Sequence, residues 1–415
     1  MQTAAHSVER AVFTTRNFVF FTAILAMNYT LSRPSPVDFI FIAALFLSLY
    51  LRHEVTPKFI ALSLLLAIWA IGFFSASIPH LGERNVSFEL LAKTFAISIA
   101  IVAAFVSMSW GARHYHAFMK VYVWSCLIAS VLGIAGFAFK IDLLTWDDRA
   151  KGLIDDPNMY GSFLVPSVLF CVYMLNQKIG SRAFIIAAIP ILGMGILLSF
   201  SRIAAAALLV CLIGYAVFLN RRRLSNLIPW LLGLVIVGSL LFAVAYVSSD
   251  EFSQKFFQRL TLAESYDVGR TGRYGRYLLA LPMILENPMG LGVLQFEKIF
   301  PEPIHNIFLS SFVNYGWIGG FAWLVLFFSS MAVSIQDYRR TRNPLAVLFM
   351  FSFLSLVMCA SLHEGEHWRH LWLFLGLLWG FNLRNFRQGQ AAPGDVRASA
   401  SSMLPARRIA RTGQT

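Results

Sequence analysis

The chain has 415 residues, 58% of them hydrophobic and only 13% charged, with a mean hydropathy of +0.66. A water-soluble domain is roughly half apolar and a quarter charged, so this composition excludes a single soluble fold. The formal charge of +13 would point to nucleic acid in a soluble protein; here it reads as loop arginines facing anionic lipid.

In chain order, apolar runs predict about twelve transmembrane helices, at 17–31, 37–51, 59–78, 88–110, 117–139, 158–175, 183–199, 203–219, 227–247, 307–333, 344–362 and 370–383. The expected class is an all-α polytopic membrane protein. Arg10 and Arg16 precede the first run and no small-residue cleavage site follows it, so it reads as a retained anchor. Cys126, Cys171, Cys211 and Cys359 all fall inside apolar segments without a C-x-x-C pair, which indicates neither a disulfide framework nor a thiolate metal site.

Lysine and arginine in the short loops set the orientation. With an even number of spans, one side collects Arg10/Arg16, Arg52/Lys58, Arg113/Lys120, Lys178/Arg182, Arg221 to Arg223 and Arg339/Arg340/Arg342. The opposite loops hold single charges such as Arg33, Arg84 and Arg369, or the acid-balanced stretch 140–157. Both termini are therefore expected to be cytoplasmic. A membrane domain, 1–387, is followed by a basic tail, 388–415, rich in Ala, Ser and Arg and expected to be disordered.

One long loop remains on the outer side, 248–304. Loops beyond about 15 residues are usually functional or disordered. Phe252, Phe256 and Leu260 repeat every fourth residue among polar neighbours, a pattern for an amphipathic helix lying on the membrane surface. Tyr277 to Leu285 predicts a second helix, which Glu286-Asn287-Pro288 stops.

Three groups could carry chemistry. In Gly269-Arg270-Thr271-Gly272-Arg273-Tyr274-Gly275-Arg276 the arginines recur at i, i+3 and i+6 and can share one side of a helix. Their planar forks match phosphate oxygens, the glycines admit a phosphate to the backbone, and Tyr274 and Tyr277 could stack on a sugar. The plainer reading is a basic patch on lipid headgroups. Arg202 lies in a polar break, Leu198-Ser199-Phe200-Ser201-Arg202, near the outer membrane edge; it either snorkels to the interface or holds an anion in a cavity. His305 lies where the long loop re-enters the membrane. At a helix N-terminus the dipole disfavours imidazolium, leaving a ring that can accept a proton; the alternative is a hydrogen-bonded structural histidine.

Two clusters read as structural. His363-Glu364-Gly365-Glu366-His367 lacks the H-E-x-x-H spacing of a zinc motif, and Glu364 or Glu366 is expected to partner the histidine or the arginines. Asp155-Asp156-Pro157-Asn158 fits a helix start with Asp156 as N-cap and proline in the first turn. No metal site is expected.

At these residues the chain resembles the O-antigen ligase and polymerase superfamily of bacterial inner-membrane proteins. The ligase branch carries a histidine followed by Asn, Ser or Gln, nine residues, Gly, two residues, then Gly, Thr or Tyr. His305-Asn306, then Gly316 and Gly319, match every fixed position. Ser201-Arg202 matches the family's upstream Ser-Arg pair. Gly272-Arg273, Tyr277 and Pro288-Met289-Gly290-Leu291-Gly292 match its loop pattern. The motifs span about residues 195–320.

The resemblance implies a metal-independent, cofactor-free glycosyltransferase with the all-helical C-type architecture, facing the periplasm through the loop 248–304. Its donor would be a glycan on undecaprenyl diphosphate and its acceptor lipid A–core oligosaccharide. His305 would be the base, and Arg202 and Arg273, assisted by Arg270, would hold the diphosphate. Arg276, Tyr274, Tyr277, Asn306, Glu364 and Glu366 would support them. An O-antigen or exopolysaccharide polymerase, or a protein O-oligosaccharyltransferase, would use similar parts. A lipid-glycan transporter would place its charges near the midplane and show repeated halves, and neither is visible here.

Overall fold

A computed structural model describes residues 2–32, 34–51, 55–220, 227–260, 269, 271–300, 302–382 and 385. Every predicted apolar run falls on a helix, some running a few residues past its end: α1 (Gln2–Ala26), α2 (Pro36–Leu49), α3 (Pro57–Ser77), α4 (Arg84–Ser107), α5 (Ala112–Phe139), α6 (Pro157–Asn176), α7 (Arg182–Leu198), α8 (Arg202–Asn220), α9 (Leu227–Ser248), α12 (Ile307–Thr341), α13 (Pro344–Ala360) and α14 (Arg369–Trp379). The long loop contributes α10 (Asp250–Leu260) and α11 (Arg273–Glu286). Among the described residues, α3, α4, α5, α6, α8 and α12 are long and apolar enough to cross a membrane, and the bent pair α9–α10 would make a seventh. The apolar helices α2, α7 and α13 are shorter, and α14 has 11 residues. Helicity thus follows the predicted dozen runs, while spanning length reaches six or seven of them. The basic cluster Arg221 to Arg223 and the tail 388–415 lie outside the described residues.

The helix starts repeat one chemical device. Ser35-Pro36, Thr56-Pro57, Asp156-Pro157 and Asn343-Pro344 each place an oxygen-bearing cap before a first-turn proline. At Thr56, Asp156 and Asn343 the cap side chain satisfies an orphan N–H, at Ser35 the Asp38 carboxylate accepts from the cap amide at 2.9 Å, and proline needs no partner in the first turn. Asp156 accepts from the Asn158 and Met159 amides at 2.6 and 3.1 Å, the structural role its sequence context predicts.

The core is made of α3 against α12, α4 against α14, and α13 against α6, α8 and α12, with all four cysteines buried in apolar helices. Close helix approach needs small residues. A side chain on Gly72 of α3 would strike the Gly319 backbone of α12 at 2.7 Å, and one on Gly319 would meet the Tyr315 side chain, so the glycine of the histidine motif is a packing requirement.

Gly316 has a different task. Its φ of 67° and ψ of −169° interrupt α12, a conformation open mainly to glycine. The break frees backbone groups that the 288–292 turn satisfies: the Leu291 and Gly292 amides donate to the Val313 and Asn314 carbonyls at 2.8 and 3.0 Å, and the Trp317 amide donates to the Pro288 carbonyl at 2.9 Å. Ala280 of α11, Phe296, Ile304 and Val313 then form a small core of their own. Its member Ile304, 1% exposed, is the anchor beside His305.

Candidate functional site

Five loop ends meet at one end of the bundle: the hairpin β1 (Thr145–Trp146) to β2 (Arg149–Ala150), and the N-terminal ends of α6, α8, α11 and α12. They enclose a cavity of ≈ 490 Å³ whose wall carries Arg149, Arg202, Arg273, Tyr274, His305 and His363. Arg202, Arg273 and His305, separated by up to 103 positions in sequence, therefore share one wall. Arg270 lies outside the described residues.

Each cation is presented by local structure. Arg202 is the first residue of α8, set there by Ser201, whose hydroxyl accepts from the Ala204 amide at 3.4 Å. Phe200 turns the chain before it at φ 49°, a left-handed conformation costing ~1–3 kcal/mol in a non-glycine residue. Ring contacts with Phe252 at 5.3 Å and Phe137 at 6.1 Å hold it. Arg273 opens α11, with Gly272 as N-cap. Of the three arginines read from the sequence, Arg273 and Arg276 stand one turn apart on α11, and Arg270 lies outside the described residues. Arg276, one turn on, is 1% exposed and pairs with Glu302 at 2.7 Å, so it is a structural residue and does not face the cavity. Arg149 was missed, since the acid-balanced stretch 140–157 gave no signal. Its Nε donates to the Ser199 carbonyl at 2.8 Å and a terminal nitrogen to Asn158 at 2.7 Å.

The carboxylates on this wall are already engaged. Asp147 pairs with Lys255 of α10 at 3.1 Å, Asp156 caps α6, and Glu302 holds Arg276. The guanidinium side of the wall therefore dominates its field. An anion of a size to span two guanidiniums fits such a wall, and arginine forks bind phosphate oxygens in bidentate fashion.

His305 precedes the Asn306 cap of α12. Asn306 accepts from the Phe308 and Leu309 amides, both at 3.0 Å, so its role is to start the helix; Ser, the alternative in the motif, can cap equally well. The Tyr277 hydroxyl donates to the His305 carbonyl at 2.6 Å. Tyr277 thus positions the histidine backbone, while Tyr274, 46% exposed, lines the cavity wall. The His305 Nε2 lies 3.7 Å from Glu302, beyond hydrogen-bond length but within coulombic reach. Burial first, then the Arg273 charge, pushes the His305 pKa down to about 4, against the opposing pull of Glu302. The ring is therefore neutral near pH 7, as a proton acceptor must be. The Arg276 hydrogen bond to Glu302 holds that carboxyl below its usual range.

A second cavity of ≈ 240 Å³ lies beside the first and shares Trp146, Asp156, His305 and His363 with it. The loop His363 to His367 forms one side. Burial, then Arg273, His305, Arg149 and Arg202, pushes His363 well below the usual histidine range. Its ring lies 5.9 Å from that of His305. The expectation that Glu366 partners the histidine or the arginines is corrected: it pairs with Lys93 of α4 at 2.7 Å and accepts from the Ser310 and Tyr315 hydroxyls. Its role is to clamp the loop onto α4 and α12. Glu364 faces the second cavity, where burial and the surrounding carboxylates, over the opposing effect of Lys93, push its pKa up to about 8.

α10 also departs from expectation. Its ring at Phe252 is fully buried and Phe256 packs on Phe242 of α9 at 4.8 Å, so its apolar face covers the chain's own helices instead of a lipid surface. Among the described residues no group of three or more His, Cys, Asp or Glu side chains could hold a metal ion.

No curated protein matches the chain. Residues 183–324, from α7 through the break in α12 and so including Arg202, Arg273, His305, Gly316 and Gly319, match the family model described as O-Antigen ligase, and that match supports placing the chain in the O-antigen ligase superfamily.

Proposed function

We propose that the protein is an O-antigen ligase that transfers a glycan from undecaprenyl diphosphate to the lipid A–core oligosaccharide, without a metal ion, on the periplasmic face of a bacterial inner membrane. The observation that carries this reading is the joint placement of Arg202, Arg273 and neutral His305 on one cavity whose carboxylates are engaged elsewhere. The topology proposed with it has twelve spans, cytoplasmic termini and a periplasmic 248–304 segment.

The chemistry follows from the residues. The acceptor hydroxyl oxygen bonds to the anomeric carbon while the bond from that carbon to the diphosphate oxygen breaks. The electron pair leaves with the diphosphate, and the hydroxyl proton passes to the His305 imidazole. Arg202 and Arg273, with Arg270 assisting, neutralise the charge growing on the leaving group, the task a metal performs in other transferases. Base catalysis of this kind contributes ~10²–10⁴-fold. The histidine motif, matched at every fixed position, favours ligation over chain extension.

The test is to incubate the purified protein with lipid-diphosphate glycan and rough lipopolysaccharide in excess EDTA. Glycan joined to the lipid A–core is the expected product, at the rate seen without chelator. Glycan lengthened on its own carrier would mark a polymerase. Loss of turnover in EDTA, restored by magnesium, would overturn metal independence.

A further inference from the structure

The second cavity has a different chemistry from the first, and nothing in the transfer of charge to a diphosphate requires it. Arg369 there pairs with Asp38 at 2.7 Å, and the His367 ring meets the Glu89 carboxylate. Glu364 has no hydrogen bond among the described residues and faces the cavity. A carboxyl placed there exchanges hydrogen bonds with hydroxyl groups and offers no cation to a diphosphate.

Its aromatic side is equally specific. Trp146 is 55% exposed although it lines both cavities. It is held there by a two-residue turn, Asp147-Asp148, with φ of 52° and 53°, the double left-handed geometry that closes a tight hairpin. Lys255 of α10 ties both turn carboxylates down, at 3.1 and 3.6 Å. A tryptophan face kept in solvent on a braced hairpin offers an apolar plane at little cost in ordering on binding. His305 stands in the wall between this compartment and the arginine compartment.

We propose that the second cavity binds a sugar ring of the hydroxyl-bearing acceptor, with Trp146 as its stacking platform and Glu364 as its hydrogen-bonding carboxyl. The proposal rests on the glycosyl-transfer reading of the first cavity. It places the attacking hydroxyl on one side of His305 and the leaving diphosphate on the other, so the base reaches the proton without meeting the departing charge.

The experiment uses core oligosaccharide freed of lipid A by mild acid as probe. Its binding to the full-length protein in nanodiscs is measured by titration calorimetry, and the acceptor and donor KM are measured separately in the transfer assay. Glu364→Ala and Trp146→Ala should each weaken probe binding by about tenfold or more and raise the acceptor KM in parallel, with Trp146→Phe recovering most of the loss. If the hairpin fails to fold without Trp146, Glu364→Ala decides alone. An unchanged acceptor KM and probe affinity in the folded variants would overturn the subsite, as would failure of the wild-type protein to bind the probe. Probe binding that the two substitutions abolish, in a protein that transfers no glycan, would sustain a sugar site and sink the transferase reading instead.

Discussion

The two cavities share Trp146, Asp156, His305 and His363, yet their chemistry differs. Both contain acids and bases, and counting them would not separate the two. What separates them is which charges are already engaged. In the larger one the carboxylates of Asp147, Asp156 and Glu302 are bound to Lys255, the α6 amides and Arg276, so guanidiniums dominate. In the smaller one Arg369 and His367 are bound to Asp38 and Glu89, and Glu364, pushed up to about 8, presents an uncharged carboxyl, so hydrogen bonding and not charge sets its character. A buried charge acts on a ligand only to the extent that the protein has not already compensated it.

Removing the shared histidine should produce the largest effect. His305→Ala is expected to lower kcat by ~10²–10⁴-fold while donor affinity persists, because only proton transfer is lost. A folded variant that transfers glycan near the wild-type rate would end the base assignment. The arginine wall comes next. Arg202→Ala or Arg273→Ala should weaken donor binding by ~10–150-fold, the worth of a hydrogen bond to a charged group, with lysine a poor substitute because it lacks the fork. Unaltered donor affinity in both would shift the diphosphate site to Arg270 or return the loop to a lipid-headgroup role.

Gly316→Ala tests whether one backbone feature supports both cavities. At φ 67°, with a new Cβ driven into the Met289 and Pro288 carbonyls, it should cost ~1–3 kcal/mol, lower Tm and impair donor and acceptor binding together. Thermal melts indistinguishable from wild type would show that the break in α12 is not needed. The smallest effect concerns pH. Since the His305 pKa is depressed to about 4, its neutral form is present throughout the range above that value. Protonation should then reduce kcat only as pH falls toward 4, leaving no acid limb of histidine near 6.5 between pH 8 and 6. A limb at the ordinary histidine value would mean that Arg273 and burial do not act on the ring as the geometry requires.

Much of this molecule was legible in the linear chain. Apolar runs gave the helices because lipid leaves no alternative partner for backbone groups. Cap-proline pairs such as Asp156-Pro157 marked starts, since capping is satisfied within four residues. Gly316 and Gly319 stood out by spacing, but their reasons, a seat for the 288–292 turn and contact with Gly72, belong to segments far away in sequence. Arg149 gave no sign at all, lying in a short stretch, 140–157, where acids outnumber bases.

The roles of like residues were therefore decided only in three dimensions. Arg273 and Arg276 are one turn apart in the same helix, and in the sequence only the Gly272-Arg273 match to the family's loop pattern separates them. Glu302, arriving from the far end of the loop, locks one of them and leaves the other on the cavity wall. Glu364 and Glu366 diverge in the same way, because Lys93 on α4 reaches only the second with a hydrogen bond. Local patterns determine helices and caps because those interactions close within a turn. Charge compensation closes across the fold, and it alone settles which ionised groups remain to meet a substrate.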